Sequence, residues 1–137
     1  MLINVNTIFC ENLYQLNDTR HFAAGIFSGK IMLPHNTEIP AIAFALFTQF
    51  ESTEAGSVKA DIRLDNVDGS IILQHELEMT FAEPNDVLTI GLDKVLVKNL
   101  GSGTIRLHYR TQTINWTECG SLRLVVPFTP NSSPLRQ

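Results

Sequence analysis

Residues 56–81 read GSVKADIRLDNVDGSIILQHELEMTF. Val58, Ala60, Ile62 and Leu64 alternate with Lys59, Asp61, Arg63 and Asp65. Beyond Asp68-Gly69, the residues Leu73, His75, Leu77, Met79 and Phe81 alternate with Gln74, Glu76, Glu78 and Thr80. Successive side chains of a strand point to opposite faces, so each run has one apolar and one wet face. Asp-Gly between two such runs is a hairpin cue, because glycine accepts the positive φ that a tight turn needs. The stretch predicts an antiparallel hairpin with one buried face. His75 falls on the apolar phase and is expected to face the core.

The flanking sequence continues the pattern. Ala41-Ile42-Ala43-Phe44-Ala45-Leu46-Phe47 is the most apolar run. Its alanines and Pro40 leave a helix open. The alternation of Ile42, Phe44, Leu46 and Thr48 with smaller residues favours a strand covered on both faces. A strand is predicted over 2–10. A long one is predicted over 21–33, where Gly25 and Gly29 mark a bulge or a close backbone approach. Over 87–98 the apolar phase slips at Asp93-Lys94, so a bulge or a change of sheet is expected there. Ile105, Leu107 and Tyr109 alternate with Arg106, His108 and Arg110, and Leu122, Leu124, Val126 and Phe128 form the last strand. Polar, Gly- or Pro-bearing connections separate these runs. The sum is an all-β chain, a single antiparallel β-sandwich of about eight strands over residues 1–128, with 129–137 as a flexible C-terminal tail.

Composition sets limits on function. The chain has 137 residues, 44% of them hydrophobic, and a net charge of -4. That suits one domain with its own core. An acidic balance argues against a nucleic-acid partner, whose phosphates need a basic surface. No apolar run reaches the roughly 20 residues of a membrane helix. The N-terminus shows no basic n-region followed by an apolar run, so the expected setting is the cytoplasm. Cys10 and Cys119 then stay reduced, as buried structural thiols. A Cys10–Cys119 bridge and a reactive thiol are the alternatives.

Catalytic patterns are missing. His21, His35, His75 and His108 do not share metal-ligand spacing, and there is no nucleophile elbow, phosphate loop or dinucleotide fingerprint. No cofactor is expected. If each connection reverses the chain, the connections 11–20, 51–55, 83–86 and 111–120 share one end. Glu51, Glu54, Glu83, Asp86 and Glu118 are then candidate ligands for a hard cation, which needs several convergent oxygens. The bland reading is a solvated loop surface. Arg106 and Arg110 on one strand face are candidates for anion binding, against the plain reading of a wet sheet face. Trp116 is either a plug over one end or a binding anchor.

A resemblance adds to this. Ile8-Phe9-Cys10-Glu11, Ala24-Gly25-Ile26-Phe27, Leu33-Pro34 and Ala60-Asp61-Ile62-Arg63-Leu64-Asp65 leading to Asp68-Gly69 occur in an order similar to that of a bacterial family of small β-sandwich proteins known only as a domain of unknown function. The family's Gly-x-Tyr near its last strand has no match at His108-Tyr109. The resemblance implies an immunoglobulin-like or C2-like sandwich and no activity.

The expected function is that of a non-enzymatic binding or scaffold domain acting through loops or a sheet edge, with an unidentified protein partner or a second copy. A C2-like cation- or ligand-binding module using the acidic loops is the alternative, and a hydrolase comes after it.

Overall fold

The computed structural model describes residues 1–17, 20–33 and 40–125, without the side chains of 16, 17 and 20. The turn expected at Asn17-Asp18, the loop 34–39, the end of the last strand and the C-terminal tail lie outside the described residues. Among the described residues there are nine strands and no helix: β1 (Leu2–Asn17), β2 (Arg20–Ile26), β3 (Lys30–Met32), β4 (Ala41–Ser52), β5 (Gly56–Asp65), β6 (Ile71–Phe81), β7 (Val87–Lys98), β8 (Gly103–Arg110) and β9 (Thr117–Val125). They form two packed sheets, ordered β2-β1-β4-β7 and β3-β9-β8-β5-β6. All pairs are antiparallel except β3 with β9.

The hairpin of residues 56–81 forms as its pattern requires, with Gly56 opposite Phe81 and Leu64 opposite Leu73. Its connection is longer than a bare Asp-Gly turn. Gly69 N donates to Asn66 O at 2.9 Å, and Gly69 adopts a φ of 85°. Asp68 Oδ1 accepts from Ser70 Oγ at 2.5 Å and from Ser70 N at 2.9 Å. These bonds hold the Asp68 carboxyl below its usual pKa. Buried Asn66 donates from Nδ2 to Lys98 O at 3.0 Å, fastening the turn to the end of β7 in the other sheet.

The ninth strand arises because residues 21–33 do not make one strand. They split into β2 and β3, which belong to different sheets. Gly25 marks the close approach expected of it, whereas Gly29 breaks the expected strand at a bend, with open space where a Cβ would sit. Gly29 takes a φ of 90° between the two strands, and Gly25 (φ 68°) is crowded by Glu11, whose side chain lies 2.8 Å from where a Cβ would sit.

Inward side chains of both sheets make the core. Phe9, Phe44, Leu46, Leu64, Leu107 and Leu122 belong to one cluster; Phe50, Ile62, Met79, Phe81 and Tyr109 belong to a second nearer the β4–β5 turn. Phe9 and Phe44 have ring centroids 5.7 Å apart, and Phe50 meets Tyr109 edge-on at 5.1 Å. Each such buried side chain contributes about 1.5–3 kcal/mol. The phase slip in β7 is a bulge: Phe44 pairs with Val95 but Leu46 with Leu92, which keeps Leu92 and Val95 packed against the same core.

Ala41-Phe47 is a strand with cover on both sides. Ala45 and Phe47 point away from the main core, yet Ala45 is fully buried beneath Cys10 and Leu13. Leu13 reaches past β4, and its Cδ2 lies 2.8 Å from where a Cβ on Gly91 of β7 would sit. His21 stacks on Phe47 with centroids 6.4 Å apart. The β1–β2 ribbon therefore folds over the outer surface of its own sheet.

Candidate functional site

The acidic loops expected to gather at one end do so only in part. The β4–β5 and β6–β7 turns touch: Asn85 N donates to Ser52 O at 2.7 Å, and Ser52 N to Asp86 O at 3.4 Å. This brings the segments of Glu54, Glu83 and Asp86 to one end. Glu51 sits at the end of β4, opposite Ile3 and Val87. Glu118 is elsewhere. It lies in β9 and its Oε1 accepts from Arg106 Nη1 at 2.6 Å. Glu11, expected in the same cluster, is in β1. The connection rule failed because residues 21–33 split into β2 and β3, which adds a reversal, and because β1 and β9 extend over Glu11 and Glu118. Among the described residues no group of three or more His, Cys, Asp or Glu side chains could hold a metal ion.

The outer surface of the five-stranded sheet is a lattice of opposite charges. Arg110 Nε donates to Asp61 Oδ2 at 2.8 Å, Arg63 Nε lies 3.0 Å from Asp65 Oδ1, and His108 Nδ1 lies 3.4 Å from Asp65 Oδ2. In these last two contacts Arg63 Nε, Asp65 Oδ1 and His108 Nδ1 are buried without an aligned hydrogen bond; the Arg63–Asp65 contact is an ion pair, and the His108–Asp65 contact is one only with the imidazole protonated. The Arg106–Glu118 pair is 50% and 43% exposed, so solvent screens it to about 0–1 kcal/mol. Arg106 and Arg110 are thus each matched to a carboxylate, which weakens their claim on an anion.

Trp116 neither plugs an end of the sandwich nor stands free. It lies against this same outer surface, with the guanidinium carbons of Arg63 and Arg110 at 4.4 Å and 4.5 Å from its ring centroid. A cation above an aromatic ring is attracted by its quadrupole. The expected loop 111–120 is shorter than read, because β9 starts at Thr117.

Residue patterns do not single out the β6 edge, which ends the five-stranded sheet among the described residues. His75 shares the inward phase, opposite buried Ile62, but is exposed rather than in the core. Among the described residues no strand pairs with β6 on its far side. Leu73 and Leu77, on the same phase, are only partly buried. The exposed Glu76 and Glu78 occupy the outward phase opposite Asp61 and Lys59. Sequence shows the two phases of a strand; it does not show that the strand ends a sheet.

Both cysteines are free. Cys10 packs with Ala45 and Leu13 outside the sheet, and Cys119 packs between the two core clusters. Burial raises both thiol pKa values, that of Cys119 to about 12, which makes neither a nucleophile.

No protein-family model matches the chain, and no curated protein is similar to it. The resemblance carried by residues 8–11, 24–27, 33–34 and 60–69 rests on those residues alone. No helix among the described residues is long and apolar enough to cross a membrane.

Proposed function

We propose that this chain is a non-enzymatic binding or scaffold domain that engages a protein partner through an open sheet edge. The β6 edge carries this reading. Along it, nine consecutive residues from Leu73 to Phe81 pair in unbroken register with β5, and among the described residues no strand pairs with the opposite side. A strand that ends a sheet offers unpaired N–H and C=O groups to an incoming chain. Partly covered Leu73 and Leu77 add apolar surface that an added strand would bury. As part of the same proposal, the two layers are of immunoglobulin-like or C2-like type and the setting is the cytoplasm, where free thiols persist.

The test uses partner capture from the native host with the wild-type chain and with His75→Lys. That substitution puts a permanent charge on the inward phase of an already exposed position, a device that blocks edge pairing. A partner held by the wild type and lost by the variant is expected. A partner set unchanged by the variant would remove the edge from the proposal.

A further inference from the structure

Four strands end the two sheets among the described residues: β2, β7, β3 and β6. Three of them are poor templates. β3 has three residues, β7 is broken by its bulge at Asp93-Lys94, and β2 belongs to the ribbon folded over its own sheet. Short length, bulges and twisting away are the devices that keep edges from pairing. β6 has none of them between Leu73 and Phe81.

The carboxylates of this edge are answered only in part from within: Glu78 faces Lys59 across the ladder, but the two form no ion pair among the described residues. Glu76 and Glu78 are exposed on the outward phase, and neither has an ion pair among the described residues. Glu76 lies opposite Asp61, whose own cation, Arg110, is on the far side in β8. Like charges directly across a ladder repel, and opposite charges attract. A second copy cannot answer this charge with its own β6, because Ile71–Phe81 contains no lysine or arginine. On the inward phase, Leu73 and Leu77 call for apolar neighbours.

Resting on the reading of β6 as the binding edge, we propose that its occupant is an extended segment of another protein in which lysine or arginine alternates with apolar residues. Its basic side chains face Glu76 and Glu78, its apolar side chains extend the cover over Leu73 and Leu77, and its backbone adds a sixth strand to the sheet.

The probe is a synthetic ten-residue peptide alternating lysine with leucine or valine, followed by fluorescence anisotropy. Controls are the same composition with its lysines contiguous, and an alternating glutamate–leucine peptide. The wild-type chain is expected to bind the alternating basic peptide saturably and at least about tenfold more tightly than either control. The double variant Glu76→Lys, Glu78→Lys is expected to reverse the preference toward the glutamate peptide; both sites are exposed, and circular dichroism checks that the sheets remain. Equal binding of the alternating and contiguous lysine peptides overturns the proposal, as does an unchanged preference in the double variant. So does self-association of the peptide-free chain that the double variant does not alter. If a host partner depends on His75 while the basic peptide fails to bind, the edge stands and the basic occupant falls.

Discussion

The hydroxyls of Thr7 and Thr48, cross-strand partners on β1 and β4 of one sheet, lie 2.8 Å apart. Thr48 is fully buried. Asn4 Nδ2 donates to Thr48 Oγ1 at 2.8 Å and to Gln49 O at 3.1 Å, and the Cys119 thiol lies close to both threonines. This polar knot sits beside the bulge of β1 between Asn4 and Asn6. The approach of β9 is equally close: a Cβ on Gly120 would lie 2.6 Å from Thr7 Cγ2. A polar group inside a core is tolerated only when it is paired.

Replacing Thr48 by valine keeps the shape and deletes the hub of the knot. The loss is expected at about 1–3 kcal/mol, because Asn4 and Thr7 are left with unmet bonds. Urea denaturation measures it. The double variant Thr7→Val, Thr48→Val should lose less than the two single losses added. Strict additivity would mean that the hydroxyls do not interact.

Gly91 makes room for the folded-over ribbon. Gly91→Ala places a methyl 2.8 Å from Leu13 Cδ2, and the expected cost is about 1–3 kcal/mol of overpacking. Amide exchange should quicken first in β1 beyond Cys10 and in β2. An unaltered melt and exchange pattern would show that the ribbon does not press on β7.

Trp116 holds two arginines, so Trp116→Ala should cost about 1–2 kcal/mol, from about 0.5–1 kcal/mol per exposed cation–π contact. Trp116→Phe should recover part of it. Thermodynamic cycles with Arg63→Met and Arg110→Met separate the two contacts. Zero coupling with either arginine would refute the stack.

Cys119 gives a pH signature. Its thiol pKa is raised by burial to about 12, above the ordinary value near 9 of an unfolded chain. Between these values the unfolded chain loses the proton while the folded one keeps it. Stability is therefore unaffected by this group below about pH 9 and falls above it, at most about 1.4 kcal/mol per pH unit. The difference between wild type and Cys119→Val isolates the effect from other titrating groups. The same burial predicts slow alkylation by iodoacetamide in the folded state at pH 8 and fast alkylation in urea. Equal rates would contradict it.

Much of the layering is legible from single runs of residues. Val58 to Leu64, Phe44 to Thr48 and Ile105 to Tyr109 each announce their buried face through period two. The slip at Asp93-Lys94 announces the β7 bulge. Less of the candidate site could be read this way. His75 obeys the inward phase and still meets solvent, because β6 ends its sheet among the described residues. Alternation does not place Trp116, because Arg63, one of the two arginines on its ring, comes from β5, far back in the sequence, while the other, Arg110, is at the near end of its own hairpin. Glu118 was grouped with the turn carboxylates although β9 begins before it and carries it to Arg106.

Alternation along the chain determined which side chains turn inward, since that depends only on the geometry of neighbouring residues. Sheet order decided the rest: which strand is left at an edge, which arginines meet the one tryptophan, and where the β1–β2 ribbon comes to lie. Those outcomes depend on pairings between residues far apart in sequence, where several arrangements satisfy the same local pattern and only packing of the whole core selects among them.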